Sequence, residues 1–183
     1  PIDNFSISEF IKIYTNFARM TVFNLSNFAG LFSNILKYDE IKLYNYLKRS
    51  YSRLNFISPF GPGVGGFCLP KDTKIMHESI LNMKSFKNST SIKRYAKINY
   101  DLNNEIINFY SNFILEKTKT LDRILFLGIA FKGLPETNDT RDSVGVKIIK
   151  KISKNSKNIN FYDLIVKKFL NKNANNKEVL TKK

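Results

Sequence analysis

The apolar residues near the start of the chain recur three and four positions apart, the spacing that a packed helix face requires. No proline interrupts residues 6–37, and Ser6 with Glu9 makes the Ser-x-x-Glu pattern of a helix-capping box. We therefore predict one long helix over residues 6–37. Because its apolar residues occur on nearly every side, we expect other protein to cover it.

Three more helices are predicted to follow. Asp39 is placed to cap a short helix. Four of its side chains are expected to face inwards, namely Ile41, Leu43, Tyr44 and Leu47. Apolar spacing predicts further helices over roughly residues 70–84 and 89–118. These elements predict an all-helical domain over residues 1–118.

The chain changes character in its last third. An apolar run of strand length at residues 123–128 is followed by a polar loop, a short helix at 143–153 and a second strand at 158–162. This order is one β-α-β unit, the start of a Rossmann-like parallel sheet, over residues 119–183. The predicted class is therefore α/β overall. The Asn/Lys-rich residues 171–183 are expected to be disordered.

The chain is strongly basic, with 30 Lys and Arg against 15 Asp and Glu and a formal net charge of +15. One interpretation is a nucleic-acid or anionic-membrane partner. The other is the codon usage of an AT-rich genome, since Lys, Asn, Ile, Phe and Tyr are all abundant and the basic residues are dispersed. We favour the second and expect neither a nucleic acid nor a membrane as partner.

Cysteine usage and hydropathy narrow the class of protein further. One Cys rules out an internal disulfide, and with one His it makes a Cys/His zinc site implausible, so no metal is expected. No apolar run reaches transmembrane length, no signal peptide is present, and the first residue is Pro. These features predict a cytoplasmic protein of which the chain is an internal piece.

The segment from Gly61 to Asp72 carries the strongest chemical signal. It contains the only cysteine, Cys68, preceded by four glycines and followed by a lysine. Glycine lets a backbone approach a ligand closely, and a thiol near a helix start and cationic groups is biased toward the nucleophilic thiolate. The alternative is a tight turn with a buried, inert cysteine. The residues concerned are Gly61, Gly63, Gly65, Gly66, Cys68 and Lys71.

Two further segments carry candidate site residues. Lys12 and Asn16 lie four positions apart and share a face of the first helix. A Lys on a buried helix needs a charged partner or a functional role; the alternative is that its amine extends to solvent. Phe131 and Lys132 follow the first strand, where open α/β sheets bind ligands, and Arg141 lies near the next helix start. The alternative for the last segment is an ordinary loop with exposed charges.

Together these segments resemble the UDP-glucose/GDP-mannose dehydrogenase family. Gly61 to Asp72 matches every fixed position of the family's cysteine loop, G-x-G-x-G-G-x-C-x-x-K-D. Glu9, Lys12 and Asn16 match its E-x-x-K-x-x-x-N signature. The resemblance covers residues 6 to about 163.

The third segment resembles the family's G-x-A-F-K and D-x-R-[ED]-S motifs through Phe131, Lys132 and Arg141. It departs from the family by an insertion of two residues between Lys132 and Arg141. The family's N-terminal NAD-binding domain, with its G-x-G-x-x-G, has no counterpart in these residues. We therefore expect the isolated fragment to be inactive.

The resemblance implies an NAD-dependent 6-dehydrogenase that oxidises the C6 alcohol of a nucleotide sugar to the carboxylate. We expect the nucleotide sugar to be a UDP-sugar and the product to serve polysaccharide precursor synthesis. The resemblance implies that Cys68 forms a thioester with the substrate and that Lys12 and Asn16 stabilise oxyanions. It also implies that Asp72 orients the water that hydrolyses the thioester. It also implies a homodimer through the first helix. The implied substrate contacts are Gly61, Gly63, Gly65, Gly66, Arg53, Phe131 and Lys132, and the implied cofactor contacts are Lys71 and Arg141.

The sugar stays open at this point. Asn16-x-x-Arg19 is similar to members that act on N-acetylhexosamines, whereas Lys71-Asp72 is similar to members that act on glucose or mannose nucleotides. The alternative from another class is a non-catalytic helical dimerisation module, or a decayed paralogue, with a basic anion-binding surface.

Overall fold

The structure is a computed structural model that describes residues 5–119, 123–155 and 158–166 and two short strands beyond them. The chain divides into two compact units. The first comprises Pro1–Val64 and Cys68–Ile106, and the second comprises Gly65–Phe67 and Ile107–Lys183. The predicted functional division, a helical cysteine domain over 1–118 and a nucleotide-sugar domain over 119–183, stays a prediction.

The first unit is helical. Its elements are α1 (Phe5–Ile35), α2 (Glu40–Ser50), a 3-10 turn (Ser52–Leu54), α3 (Cys68–Asn82), a second 3-10 turn (Lys84–Phe86) and the first part of α4 (Thr90–Lys117). All four predicted helices are therefore confirmed, with ends within about two residues of those expected. The difference that matters for the chemistry is at α3, which begins at Cys68 and so holds the cysteine in its first turn.

The short helix α2 confirms one prediction and corrects another. Asp39 caps it, because its Oδ1 accepts a hydrogen bond of 2.8 Å from the Lys42 N–H. Ile41, however, is 73% exposed rather than inward-facing, and no residue of α2 is fully buried. At about 100° per residue, Ile41 lies roughly 160° round the helix from Leu43, so both cannot face the unit.

The first unit is held together by a small apolar cluster and by buried amides. Phe17 of α1, Met76 of α3 and Ala96 of α4 form the cluster. Three residues after Ala96 on α4, Asn99 Nδ2 donates to the Phe17 carbonyl of α1 at 3.3 Å, and Asn24 Nδ2 donates to Asn99 Oδ1 at 2.9 Å. Hydrogen bonds of this kind offset the cost of burying polar groups between helices.

One face of α1 carries a largely exposed run of mostly apolar residues, here called the apolar stripe. Its positions alternate four and three residues apart, the spacing of a coiled-coil seam. Most of its members are at least 44% exposed in the single chain. The stripe consists of Ile7, Ile11, Tyr14, Ala18, Thr21, Leu25, Phe28, Phe32 and Ile35.

The second unit contains the predicted β-α-β unit, and the α/β class is confirmed. Strands β1 (Ile124–Leu127) and β2 (Ile159–Tyr162) pair in parallel, with α5 (Val144–Ile152) between them in the chain. Ser143 caps α5 through its side chain. The buried core comprises Ile107, Ile129, Val146, Ile148, Ile149, Ile152, Ile159 and Val166.

A second strand pair follows, in which β3 (Lys168–Phe169) and β4 (Leu180–Thr181) are antiparallel. The disorder predicted for residues 171–183 concerns residues that, apart from β4, lie outside those described. In the part of the chain that the structure describes, no helix combines the length and hydrophobicity needed to cross a bilayer.

Candidate active site

A buried carboxylate, Asp72, links the two helices that carry the predicted catalytic residues. Asp72 is 1% exposed. Asn16 Nδ2 of α1 donates a 2.6 Å hydrogen bond to Asp72 Oδ2, and Lys71 Nζ lies 2.6 Å from Asp72 Oδ1. Residues 56 positions apart in sequence thus form one connected polar network.

The charges in this network favour an ionised Asp72. Burial alone would raise the pKa of its carboxyl, but the hydrogen bonds with Lys71 and Asn16 and the positive charges of Lys71 and Lys12 together lower that pKa below its ordinary value. Conversely, the pKa of Lys71 is raised, first by its hydrogen bond with Asp72 and further by the charges of Asp72 and Cys68. A carboxylate and an ammonium group therefore coexist here at neutral pH.

Cys68 is the first residue of α3, and its thiol is free and exposed. Cys68 and Asp72 are four residues apart on this helix, so their side chains extend from the same side. Lys12, also exposed, shares the face of α1 that carries Asn16. The four predicted catalytic residues therefore all lie on α1 and α3 of the first unit, which pack against each other.

The glycine-rich loop is held by side-chain oxygens at every third residue. The Ser58 N–H donates to Ser26 Oγ at 3.0 Å, and the Gly61 N–H donates to Asn27 Oδ1 at 2.8 Å. The third N–H of the series, that of Val64, donates to an amide on α4 at 2.7 Å. The loop thus obtains from helix side chains the partners that a neighbouring strand would otherwise supply.

The glycines of the loop have conformational and packing reasons of their own. Gly63 and Gly66 have φ values of 132° and 84°, in the region that favours glycine. In the second unit, a Cβ on Gly66 would lie 2.7 Å from the Phe131 ring, and one on Gly65 would lie 3.0 Å from the Asp142 carbonyl oxygen. The close approach seen here is therefore to the protein itself, and substrate contact by these glycines stays a prediction.

The second unit has a cleft of about 540 Å³ at the carboxyl ends of β1 and β2. Lys132, predicted to touch substrate, lines it, and its Nζ lies 5.3 Å from the centroid of the Phe131 ring. Ligands of open α/β sheets bind at this end of the strands. The other lining residues include Gly128, Ala130, Gly133, Glu136 and Tyr162.

Asp163 fixes the backbone around this cleft. Its Oδ2 accepts from the N–H groups of Ile129 and Ala130 at 2.8 and 3.0 Å, and its Oδ1 accepts from Ile165 and Val166, both at 2.9 Å. Burial raises the pKa of this carboxyl, but the four N–H groups outweigh it and lower the pKa to about 2. The charged Asp163 side chain therefore links the backbone segments that follow β1 and β2.

The two predicted arginines have local partners. Arg141 is 77% exposed, and its Nη2 donates to Asp139 Oδ2 at 2.8 Å. That guanidinium lowers the pKa of Asp139, with a further contribution from the Arg141 backbone N–H. Arg53 lies in the 3-10 turn after α2, with its guanidinium carbon 5.9 Å from the Tyr51 ring centroid. Cofactor contact by Arg141 and substrate contact by Arg53 stay predictions.

Comparison with known proteins identifies the relatives of this chain. No protein-family model matches it. It is 29% identical over 163 residues to the UDP-N-acetyl-D-mannosamine dehydrogenase of Methanococcus maripaludis, and 27% identical over 175 residues to that of Pyrococcus horikoshii. The solved structure of the P. horikoshii UDP-D-ManNAc dehydrogenase matches 84% of the chain with a TM-score of 0.64 and 25% identity.

The chain is similar to UDP-sugar dehydrogenases over most of its length. The predicted resemblance is thereby confirmed. A UDP-glucose dehydrogenase from Pyrobaculum islandicum also matches, with a TM-score of 0.67 over 86% of the chain, but at 22% identity it shows the fold alone. The chain spans about a third of the length of these relatives: 34% and 38% of the two curated UDP-sugar dehydrogenases and 35% of each solved chain.

Sequence reasoning missed one residue in each unit: Asp163 at the cleft of the second unit and Asn103 at the glycine-rich loop of the first. Asp163 directly follows the second predicted strand, and an acid at that place is a signal for backbone N–H groups in need of an acceptor. Asn103, on α4, was not singled out at all. The only signal was an Asn in the middle of a helix, where its intrinsic propensity is poor.

Proposed function

We propose that this chain provides the catalytic-cysteine part of an NAD-dependent UDP-sugar 6-dehydrogenase, which forms a uronic acid for polysaccharide synthesis. The observation that carries the proposal is the network of Asn16, Asp72 and Lys71 on the two helices that also bear Lys12 and Cys68. A packing cysteine is buried and inert, whereas this thiol is exposed in the first turn of a helix.

Cys68 is the nucleophile in this mechanism. Its sulfur attacks the C6 carbonyl carbon of a sugar aldehyde and forms a thiohemiacetal, and the oxidised form of that adduct is a thioester. The adduct places negative charge on the former carbonyl oxygen. Lys12 and the Asn16 amide stabilise that oxygen, one by its charge and the other by its N–H donors.

The role of Asp72 follows from its lowered pKa. A carboxylate that is already ionised, hydrogen-bonded to Asn16 and ion-paired with Lys71 is a weak general base. It is better suited to hold the Asn16 amide and the Lys71 ammonium group in fixed orientations and to orient the water that hydrolyses the thioester. We therefore assign Asp72 an orienting role rather than that of the principal base.

NAD is the oxidant that this proposal requires, and the described residues do not form its main site. Gly128, Ala130 and Gly133 approach the spacing of a dinucleotide fingerprint, but α5 begins only at Val144, so the turn does not open onto a helix N-terminus. Asp163, the acid after β2, has both oxygens bound by backbone N–H groups. The oxidations therefore belong to a dinucleotide-binding domain that the described residues do not contain.

The favoured substrate is a UDP-N-acetylhexosamine. The two curated relatives described above are UDP-N-acetyl-D-mannosamine dehydrogenases. The Asn16-x-x-Arg19 pattern is similar to that of the members that act on N-acetylhexosamines. In this chain Arg19 Nη1 donates to Asn16 Oδ1 at 3.4 Å, so Arg19 lies beside the proposed catalytic amide. UDP-glucose is the second candidate, because Lys71 and Asp72 resemble the members that use it.

The direct test is an assay of the full-length gene product with NAD and three substrates: UDP-N-acetyl-D-mannosamine, UDP-N-acetylglucosamine and UDP-glucose. We expect NADH and the matching uronic acid with the first at the highest kcat/KM, and no turnover by residues 1–183 alone. Mass spectrometry identifies the acid. Absence of acid with every substrate would favour the alternative of a non-catalytic dimerisation module.

We also propose a homodimer through α1. The apolar stripe supports it, because a surface with coiled-coil spacing and so many exposed aromatic and aliphatic side chains is unusual for an isolated helix in water. NAD dependence, the dimer and a cytoplasmic location all stay predictions.

Replacing Phe28 and Phe32 together by Glu is expected to convert the dimer to a monomer, since two charges per copy would be buried in the apolar seam. Sedimentation velocity at micromolar concentration measures the change. Ile41→Glu is the matched control, because Ile41 is a still more exposed apolar residue on a different helix. If wild type sediments as a monomer, or if Ile41→Glu dissociates it equally, the stripe is not the dimer interface.

A further inference from the structure

Asn103 binds the glycine-rich loop with both ends of its side-chain amide. Its Oδ1 accepts from the Val64 N–H at 2.7 Å, and its Nδ2 donates to the Val64 carbonyl at 3.0 Å. Asn103 is 2% exposed and Val64 is 7% exposed. One side chain therefore satisfies both backbone groups of a buried residue that lies four positions before Cys68.

A simple packing explanation does not account for this arrangement. An Asn lowers helix stability, and the next residue, Asn104, is exposed and has no such role. Asn99, one turn earlier on α4, is a buried amide that binds only α1, through the Phe17 carbonyl and Asn24. Asn99 thus joins helix to helix, whereas Asn103 joins a helix to the loop.

The two bonds to one residue restrict the loop more than a single bond could. A bidentate amide fixes both the position and the rotation of the peptide groups around Val64, as a neighbouring strand does. From Val64 only three residues lead to Cys68, two of them glycines. Because glycine adds conformational freedom, the thiol's position depends on how firmly the chain is held before them.

We propose that Asn103 is a positioning residue for Cys68: by holding Val64 it fixes the segment that delivers the thiol to the substrate. The inference rests on the proposed function, since it assumes that Cys68 attacks a sugar aldehyde. Nucleophilic attack is sensitive to small displacements, whereas binding of the rest of the nucleotide sugar is not. Loss of Asn103 is therefore expected to affect kcat more than KM.

The first test compares Asn103→Ala with Asn99→Ala in the full-length gene product. Both remove a buried amide of α4, and both are assayed well below their thermal midpoints. We expect Asn103→Ala to lower kcat by about tenfold or more with KM within about threefold, and Asn99→Ala to leave kcat within about twofold. Asn103→Asp keeps the oxygen that accepts from Val64 and is expected to give an intermediate kcat. If kcat falls in parallel with thermal stability in the two Ala variants, Asn103 is only structural.

The second test needs no enzymatic activity. Amide hydrogen exchange is measured on residues 1–183 at Gly61 and Val64, whose N–H groups bind Asn27 and Asn103. We expect Asn103→Ala to accelerate exchange at both by about tenfold or more and Asn99→Ala to change neither selectively. Unaltered exchange overturns the inference. If the wild-type enzyme makes no acid, the proposed function is contradicted instead. The exchange rates at Gly61 and Val64 still test, independently of activity, whether Asn103 restrains the loop.

Discussion

Replacing Cys68 by Ala is expected to abolish formation of the acid while the chain keeps its fold. Without the sulfur no thioester forms, and we expect the rate of acid formation to fall at least about a thousandfold. The side chain is exposed and Ala is a strong helix former, so the free energy of unfolding should change by less than about 0.5 kcal/mol. Mass spectrometry of the product and thermal unfolding measure the two effects.

The control for this variant is Lys74→Ala, which removes an exposed side chain six residues further along α3 and should leave the rate unchanged. In wild type, the UDP-sugar should also protect Cys68 from iodoacetamide, because it fills the space over the thiol. Acid formed at a near wild-type rate by Cys68→Ala would show that the cysteine is a packing residue and that the mechanism is wrong.

Replacing Asp163 by Asn is expected to lower the stability of the second unit substantially. An amide has one oxygen, so two of the four backbone N–H groups lose their acceptor in a buried site. Leaving such groups unpaired costs roughly 2–4 kcal/mol in the free energy of unfolding. Urea unfolding followed by circular dichroism measures the loss.

The loss should depend on pH in a defined direction. The pKa of Asp163 is about 2 in the folded chain against an ordinary 3.8, a difference that corresponds to about 2.4 kcal/mol. Because the folded pKa is the lower one, this stability is present above about pH 4 and is lost as the pH falls through 2. The gap between wild type and Asp163→Asn should therefore narrow by about 2 kcal/mol from pH 5 to pH 2.

Glu136→Gln is the matched control, since it removes an exposed carboxylate that lines the same cleft. Its stability should follow that of wild type at every pH. An Asp163→Asn variant whose deficit stays constant across this range would show that the four hydrogen bonds do not depend on the carboxylate charge.

Local signals in the sequence predicted the fold well. Asp39 caps α2 as expected, because an N-cap needs only its own side chain and the next turn. The parallel pairing of β1 and β2 followed from the alternation of strand and helix, which leaves few topologies. The orientation of Ile41 could not be read in the same way, because a short amphipathic pattern does not say which neighbours the helix meets.

The site was less accessible to sequence reasoning from the residues alone. Nothing local indicates that Asn16 meets Asp72, since that contact depends on how α1 packs on α3. Only the family resemblance grouped them. Asn103 was missed because a helical Asn looks the same in sequence whether it faces water, as Asn104 does, or a backbone that needs partners.

The oxygen acceptors along the glycine-rich loop bind every third N–H group and so fix the number of residues between the bound positions. Ser58, Gly61 and Val64 each present an N–H to a helix side chain, and Pro59 and Pro62, which have none, fall between them. Deleting one residue between Ser58 and Gly61 would bring Pro62 opposite Asn27 and leave that oxygen without a donor. Surface loops ordinarily tolerate insertions and deletions, but this one is restricted in length as a helix or strand is.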